Sequence, residues 1–164
     1  MTIVTEHLEK QGIRFEVLPH PPATSALGEA LALGVDADEV VKTVVLDVLT
    51  GHALAIIPAS RRLDLGMVRS ALDDAHARLA TEREIAEYFP EFELGAMPPL
   101  PSMMHLPVVI DPSILEHRTI TFAAGTQRES VRTSPDGLFT GASITLTPIT
   151  RPKDEAPVDG LFTG

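Results

Sequence analysis

The chain has 164 residues, no cysteine, no tryptophan and a formal net charge of −10. That length makes a single domain the default. With 44% hydrophobic and only 4% aromatic residues, the core must be built from aliphatic side chains. The lack of cysteine excludes disulfides, thiolate nucleophiles and cysteine-based zinc sites, and the acidic balance argues against a broad polyanion-binding face. No apolar run reaches membrane-spanning length and the first residues carry no basic segment of a signal peptide, so the expectation is a soluble, cytoplasmic protein with no membrane contact.

Ile3, Val4, His7 and Leu8 recur at helical spacing before Gly12, which predicts a first helix over residues 2–11. Ile13-Arg14-Phe15-Glu16-Val17-Leu18 alternates as a strand does and is expected to stop at Pro19. Thr24 or Ser25 caps a second helix through Leu27, Ala30 and Leu33, closed by Gly34. A strand from Val40 to Val48 follows, turning at Thr50-Gly51 into a hairpin partner at Ala53–Ile57. Asp64 caps a helix carrying Leu65, Val68 and Leu72, and Thr81-Glu82-Arg83-Glu84 is a capping box for another through Ile85 and Tyr88. Leu94-Gly95-Ala96-Met97-Pro98-Pro99-Leu100-Pro101 is neither helix nor central strand. Strand patterns resume at 107–110, 119–122 and 129–132, with a capped turn at 134–139 and a last short strand at 144–146.

The short links after residue 100 suit antiparallel pairing. The expected fold is α/β of the α+β type: a mixed, strongly curved sheet or barrel-like core with helices packed outside. Residues 1–147 form the expected domain. Residues 148–164 read as a polar, proline-rich tail lacking order. Within them Asp159–Gly164 repeats Asp136–Gly141 letter for letter, and two copies do not make a repeat architecture.

Lys42 is the most informative residue. It sits in the run Val40-Val41-Lys42-Thr43-Val44-Val45-Leu46, whose composition suits a strand covered on both faces. A lysine is almost never buried there unless it is paired or used; the plainer reading is an edge-strand lysine reaching for water. Two glycine positions add to it. Gly95 opens a Gly-x-x-x-Pro loop ending at Pro99, and Gly125 ends Phe122-Ala123-Ala124-Gly125 after a strand. Such loops can aim backbone N–H groups at a carbonyl oxygen or phosphate, although both are equally at home in ordinary turns. Arg61-Arg62 is an adjacent basic pair that suits phosphate contacts and a solvated loop equally well. The six histidines show no zinc spacing, and no Gly-x-Ser-x-Gly elbow occurs, so neither a metal, a cofactor nor a conventional nucleophile is expected.

In order and spacing these blocks resemble the YbaK/prolyl-tRNA-synthetase-associated domain family of trans-editing aminoacyl-tRNA deacylases. The resemblance runs through Val41-Lys42-Thr43-Val44-Val45, Ile57-Pro58-Ala59-Ser60-Arg61-Arg62-Leu63-Asp64, Gly95-Ala96-Met97-Pro98-Pro99-Leu100, Val108-Val109-Ile110-Asp111 and Ala123-Ala124-Gly125. It implies a barrel-like mixed fold and hydrolysis of the ester joining a mischarged amino acid to the tRNA 3′ end, typically on proline tRNA. Lys42 matches the family's key lysine, Gly95–Pro99 its loop, and Gly125 a glycine beside the substrate pocket, where Ala124 stands in place of a frequent serine. By the same resemblance Lys42, Gly95 and Gly125 are the catalytic positions. Thr43, Ala96, Met97, Pro98, Pro99, Ala124, Arg61 and Arg62 are the substrate-binding ones, with aminoacyl-tRNA and prolyl-tRNA synthetase as partners. Family members recruit the terminal ribose hydroxyl of the tRNA. An aminoacyl ester is activated, so a positioned water or hydroxyl suffices once the carbonyl is polarised. The alternative from a different class is a module that binds the aminoacyl or nucleotide end without hydrolysis.

Overall fold

The computed structural model describes residues 1–141, 143–153 and 162–163. Helix α1 (Ile3–Lys10) starts at a capping box in which Thr2 and Thr5 exchange side-chain to backbone bonds, and it buries Val4 and Leu8. Strand β1 (Glu16–Pro19) begins later than the alternation predicts and includes Pro19. Among the described strands it pairs with one neighbour alone, and an edge strand tolerates a missing N–H. Helix α2 (Ala26–Leu33) is capped by Ser25, whose Oγ accepts the Gly28 N–H at 3.0 Å, and closed by Gly34 at φ 66°.

After a 3-10 turn at Ala37–Glu39 come β2 (Val41–Val48) and β3 (Gly51–Pro58), antiparallel from Val41↔Pro58 to Val48↔Gly51. The turn residues are therefore Leu49-Thr50, one position earlier than expected. Strand β4 (Arg61–Asp64) leads into α3 (Leu65–Leu72), capped by Asp64 Oδ1 on the Met67 N–H at 3.1 Å. Strand β5 (Arg78–Leu79) precedes α4 (Glu82–Tyr88), whose Thr81–Glu84 capping box forms as predicted. Proline at the first position starts the short α5 (Pro101–Met104). Then follow β6 (Val108–Ile110), β7 (Ile120–Ala123), β8 (Glu129–Thr133), β9 (Ile144–Leu146), β10 (Thr150–Pro152) and β11 (Phe162–Thr163).

The fold is mixed α/β, with the described strands in three sheets rather than one closed barrel. Their orders are β1-β8-β7, β5-β2-β3-β6-β9 and β10-β4-β11. A parallel bridge from Val40 to Thr121 joins the first two. The expectation of antiparallel pairing after residue 100 holds for β7–β8 but not for β6, which runs parallel to both β3 and β9. The links that decide this are non-local, so local link length was the wrong guide.

The five-stranded sheet is apolar on both faces. Val41, Val45, Leu54 and Ile56 pack with Leu100, Phe122 and Val131 on one side; Leu46, Ala55 and Ile57 pack with Leu63, Val68 and Ile149 on the other. This is why β2 and β3 read as near-continuous hydrophobic runs. Ile149 and Thr150 correct the expected start of a loose tail. Ile149 is fully buried, and buried Asp111 accepts its N–H at 3.0 Å and the Thr150 hydroxyl at 2.7 Å, seating β10 against β4. Most of the rest of that segment lies outside the described residues. Of the repeated hexapeptide, Phe139-Thr140 is irregular, whereas the identical Phe162-Thr163 pairs with β4. No described helix is long and apolar enough to cross a membrane.

Candidate functional site

A cavity of about 280 Å³ opens where α2, β2, α4 and the loop before α5 meet. Its lining includes Thr24, Ser25, Ala26 and Glu29 from the start of α2, and Val41, Lys42, Thr43 and Val45 from β2. Glu82 and Ile85 of α4, the loop residues Phe92 to Gly95 with Met97, and Ala123 at the end of β7 complete it.

The edge of β2 explains why this wall is polar. Val40 C=O accepts the Ala59 N–H at 2.8 Å beside β3, while Val45 C=O accepts the Ala80 N–H at 3.0 Å on the opposite side. Backbone groups alternate in direction along an antiparallel strand. Those of Thr43 therefore point away from β3, toward an edge that β5 does not reach, since β5 pairs only with Leu46 and Asp47. Thr43 Oγ1 is itself buried, with no hydrogen-bond partner among the described residues. Lys42 stands opposite Ile57 and leaves the pleat on the other face from Thr43. Both residues border the cavity from one open edge. Burial, then the charge of Lys153, lowers the Lys42 pKa from the ordinary lysine value.

Gly95 does its work through shape. Its φ is +76°, and a Cβ there would lie 1.9 Å from the Thr24 carbonyl oxygen. Only glycine lets the loop lie this close to the entry of α2. The expectation that loop amides face the substrate needs one correction: the Ala96 N–H is already bonded to the Glu93 carbonyl at 3.0 Å. Ala96, Pro98 and Pro99 are buried behind the loop, and Met97 is its second predicted residue on the wall. Gly125 is also off the wall. At φ +87° it packs where a Cβ would meet Val4 and Phe92, and its carbonyl accepts the Glu93 N–H at 3.0 Å, anchoring the loop to the end of β7. Ala124 is buried in the core, and its neighbour Ala123 faces the cavity instead. Arg61 and Arg62 lie on β4, away from the cavity lining, where Arg61 Nε donates to Thr150 Oγ1 at 2.7 Å.

Sequence reasoning missed Glu29. It is 3% exposed, lines the cavity, and is hydrogen-bonded to Ser130, which in turn bonds His20. Burial raises the Glu29 carboxyl to about 7, against the opposing effect of the Ser130 hydrogen bond. The signal was available: Glu29 is the one charged residue in Ala26-Leu27-Gly28-Glu29-Ala30-Leu31-Ala32-Leu33, as Lys42 is in its strand.

Two other places on the molecule have some features of a site. Asp47, His52 and Glu84 bring ligand atoms within 4.8 Å of one another, but Arg78 pairs with Asp47 at 2.6 Å and Glu84 at 3.2 Å and already supplies the positive charge there. A larger cavity of about 390 Å³ beside α5 and Ser143 contains none of the sequence-predicted residues.

A family model for the aminoacyl-tRNA editing domain matches residues 20–140, a span that includes the whole cavity lining. Among solved structures, a hypothetical protein superposes with TM-score 0.79 at 24% identity, over 90% of this chain and 99% of that one. A candidate trans-editing enzyme for prolyl-tRNA synthetase superposes with TM-score 0.76 at 29% identity, over 90% of this chain and 94% of that one. A candidate signal transduction protein from Marinobacter aquaeolei VT8 contains a similar fold, with TM-score 0.67 and 17% identity, in 31% of its length.

Proposed function

This chain belongs to the aminoacyl-tRNA editing domain family, and from that premise we propose that it is a trans-acting deacylase that hydrolyses the ester of a mischarged aminoacyl-tRNA. The favoured substrate is proline tRNA carrying a non-cognate amino acid, in keeping with the similar structure named for prolyl-tRNA synthetase. That synthetase is the protein partner this reading suggests, and the cytoplasm is the compartment in which such a substrate is made.

The observation that carries the reading is convergence. Lys42 and Thr43, Gly95 and Met97 lie about fifty residues apart, and the fold brings both groups to one cavity large enough for an aminoacyl end. Each then has a role. The Lys42 ammonium holds the terminal phosphate or the aminoacyl end. The unpartnered Thr43 hydroxyl and its edge backbone groups bond the substrate's polar atoms. Gly95 keeps the loop against α2, so that the cavity keeps its shape, and Gly125 holds the other end of that loop. The start of α2 places Ser25 and Ala26 on the wall, and the positive end of the helix dipole there favours developing negative charge. Arg61 and Arg62 fall outside the cavity and serve as contacts for phosphates farther along the acceptor stem.

Hydrolysis then requires no protein nucleophile. The ester carbonyl is polarised, and a water or the neighbouring ribose hydroxyl is positioned to act. The test is a panel of mischarged tRNAs incubated with the purified protein, reading release of free amino acid. Release from mischarged proline tRNA, with correctly charged tRNA left intact, is the expected result. Well-folded protein that releases nothing overturns the reading. If that protein also retains intact mischarged tRNA in a gel-shift assay, the fold acts as a binding module.

A further inference from the structure

The hydrogen bonds around Glu29 do not balance in the ordinary protonation states. The Ser130 hydroxyl, fully buried on β8, is bonded to Glu29 Oε2 on one side and lies 2.8 Å from His20 Nε2 on the other. His20 Nδ1 lies 2.8 Å from the Pro21 carbonyl, which can only accept, so Nδ1 carries a proton. In a neutral ring Nε2 is then an acceptor. With Glu29 ionised as well, two acceptors face the single Ser130 proton, and one buried pair is left lone pair against lone pair.

One additional proton resolves the conflict, and it can sit at either end. On Glu29, the carboxyl donates to Ser130 and Ser130 donates to His20. On His20, Nε2–H donates to Ser130 and Ser130 donates to the carboxylate. The two arrangements differ by a proton shift along two hydrogen bonds. His20 is half-exposed, so the chain runs from solvent to the cavity wall.

We propose that His20, Ser130 and Glu29 form a proton relay, and that Glu29 is the general base of the hydrolytic step. The proposal rests on the deacylase reading. Once the extra proton has left through Ser130 and His20 to solvent, the Glu29 carboxylate removes a proton from the attacking water as the water oxygen bonds to the ester carbonyl carbon. The bond from that carbon to the ribose oxygen then breaks, the electron pair stays on the ribose oxygen, and that oxygen takes the proton from Glu29. One water is consumed, and free amino acid and the tRNA hydroxyl are released. Glu29 is the catalytic residue, and Ser130 and His20 set its charge.

Other charged groups share the cavity lining with Glu29: Lys42 on β2, exposed Glu82 on α4 and exposed Glu93 on the loop. Glu129, next to Ser130 on β8, leaves the opposite face of that strand.

The experiment measures single-turnover deacylation of mischarged tRNA between pH 5.5 and 8.5 for wild type, Glu29→Gln, Ser130→Ala and His20→Asn. The catalysed wild-type rate is expected to rise through about pH 7, following the Glu29 ionisation. Glu29→Gln should lose about 10²–10⁴-fold in rate together with that inflection, while still binding the tRNA. Ser130→Ala and His20→Asn should shift the inflection with tRNA binding unchanged. A folded Glu29→Gln protein with wild-type rate, or a wild-type profile flat through pH 7, overturns the proposal. Carboxyl-¹³C and imidazole-¹⁵N NMR titrations of the free protein read the relay without any substrate. If Ser130→Ala moves neither the Glu29 nor the His20 titration, the relay is refuted even where deacylation is observed. If wild type releases no amino acid, the deacylase reading and the general-base role fall together, while these titrations still decide whether the relay exists.

Discussion

Replacing Gly95 by alanine isolates the contact on which the cavity's shape depends. The new Cβ would lie 1.9 Å from the Thr24 carbonyl oxygen and 2.4 Å from its carbon. Non-bonded contacts are comfortable only near about 3.5 Å, so the loop and the entry to α2 must part by more than about 1 Å. Both Gly95 and Thr24 line the cavity, so the movement opens the site itself. A left-handed alanine costs about 1–2 kcal/mol, and forced backbone displacement about 1–3 kcal/mol more. For a domain of this size that is a fall in Tm of about 5–15 °C. A displacement of this size at a positioned site can lower the rate by about 10²-fold. Gly34→Ala is the control: φ is +66°, but nothing lies within 4 Å of the new Cβ, so only the backbone term of about 1–2 kcal/mol remains. Tm by calorimetry and single-turnover deacylation should be measured for both variants. If Gly95→Ala matches Gly34→Ala in both quantities, the close approach to Thr24 has no functional weight and the reasoning fails.

Three further predictions follow from the same geometry. Lys42→Ala should stay folded and lose about one to two decades in deacylation rate, the worth of a charge-assisted contact of about 1.5–3 kcal/mol. Lys42→Arg should also be impaired, because a planar fork does not replace a compact ammonium; full activity in a stable Lys42→Ala protein removes the residue from the site. Thr43→Val keeps the side-chain shape and deletes a buried hydroxyl that has no partner. Its stability should be unchanged or higher by about 1 kcal/mol, while kcat/KM falls several-fold; loss of stability without loss of activity contradicts a substrate-facing role. Asp111 is buried, and burial pushes its carboxyl up, but hydrogen bonds from Ser113, Ile149 and Thr150 outweigh this and leave its pKa below the ordinary value. Its contribution is therefore full above the unfolded-state pKa and disappears as pH falls through the lower folded-state value. Asp111→Asn should be less stable than wild type by about 1.5–3 kcal/mol at pH 7. The gap should narrow in urea titrations below about pH 4, and a gap independent of pH would contradict the linkage.

Local chemistry by itself determined much of this protein. Apolar spacing located α1, and capping residues located α2 to α4 to within a few positions, because a cap is a contact between residues three apart. Apolar runs identified β2 and β3, since burial on both faces leaves a compositional trace. The charged exception in such a run pointed to Lys42, and the same logic applied to α2 would have pointed to Glu29. The tertiary structure alone decided the rest. Strand direction at β6 depends on neighbours more than fifty residues away at β3 and more than thirty at β9, which no local spacing encodes. Phe139-Thr140 and Phe162-Thr163 are identical in sequence, yet only the second pair has β4 as a partner, so pairing rather than propensity made it a strand. Gly95 and Gly125 are both legible as glycines in loops. That one abuts Thr24 at the cavity while the other sits under Phe92 behind it depends on where the chain returns in space. The Glu29–Ser130–His20 chain lies deepest, joining residues up to 110 positions apart through hydrogen bonds that exist only once the first sheet has packed against α2.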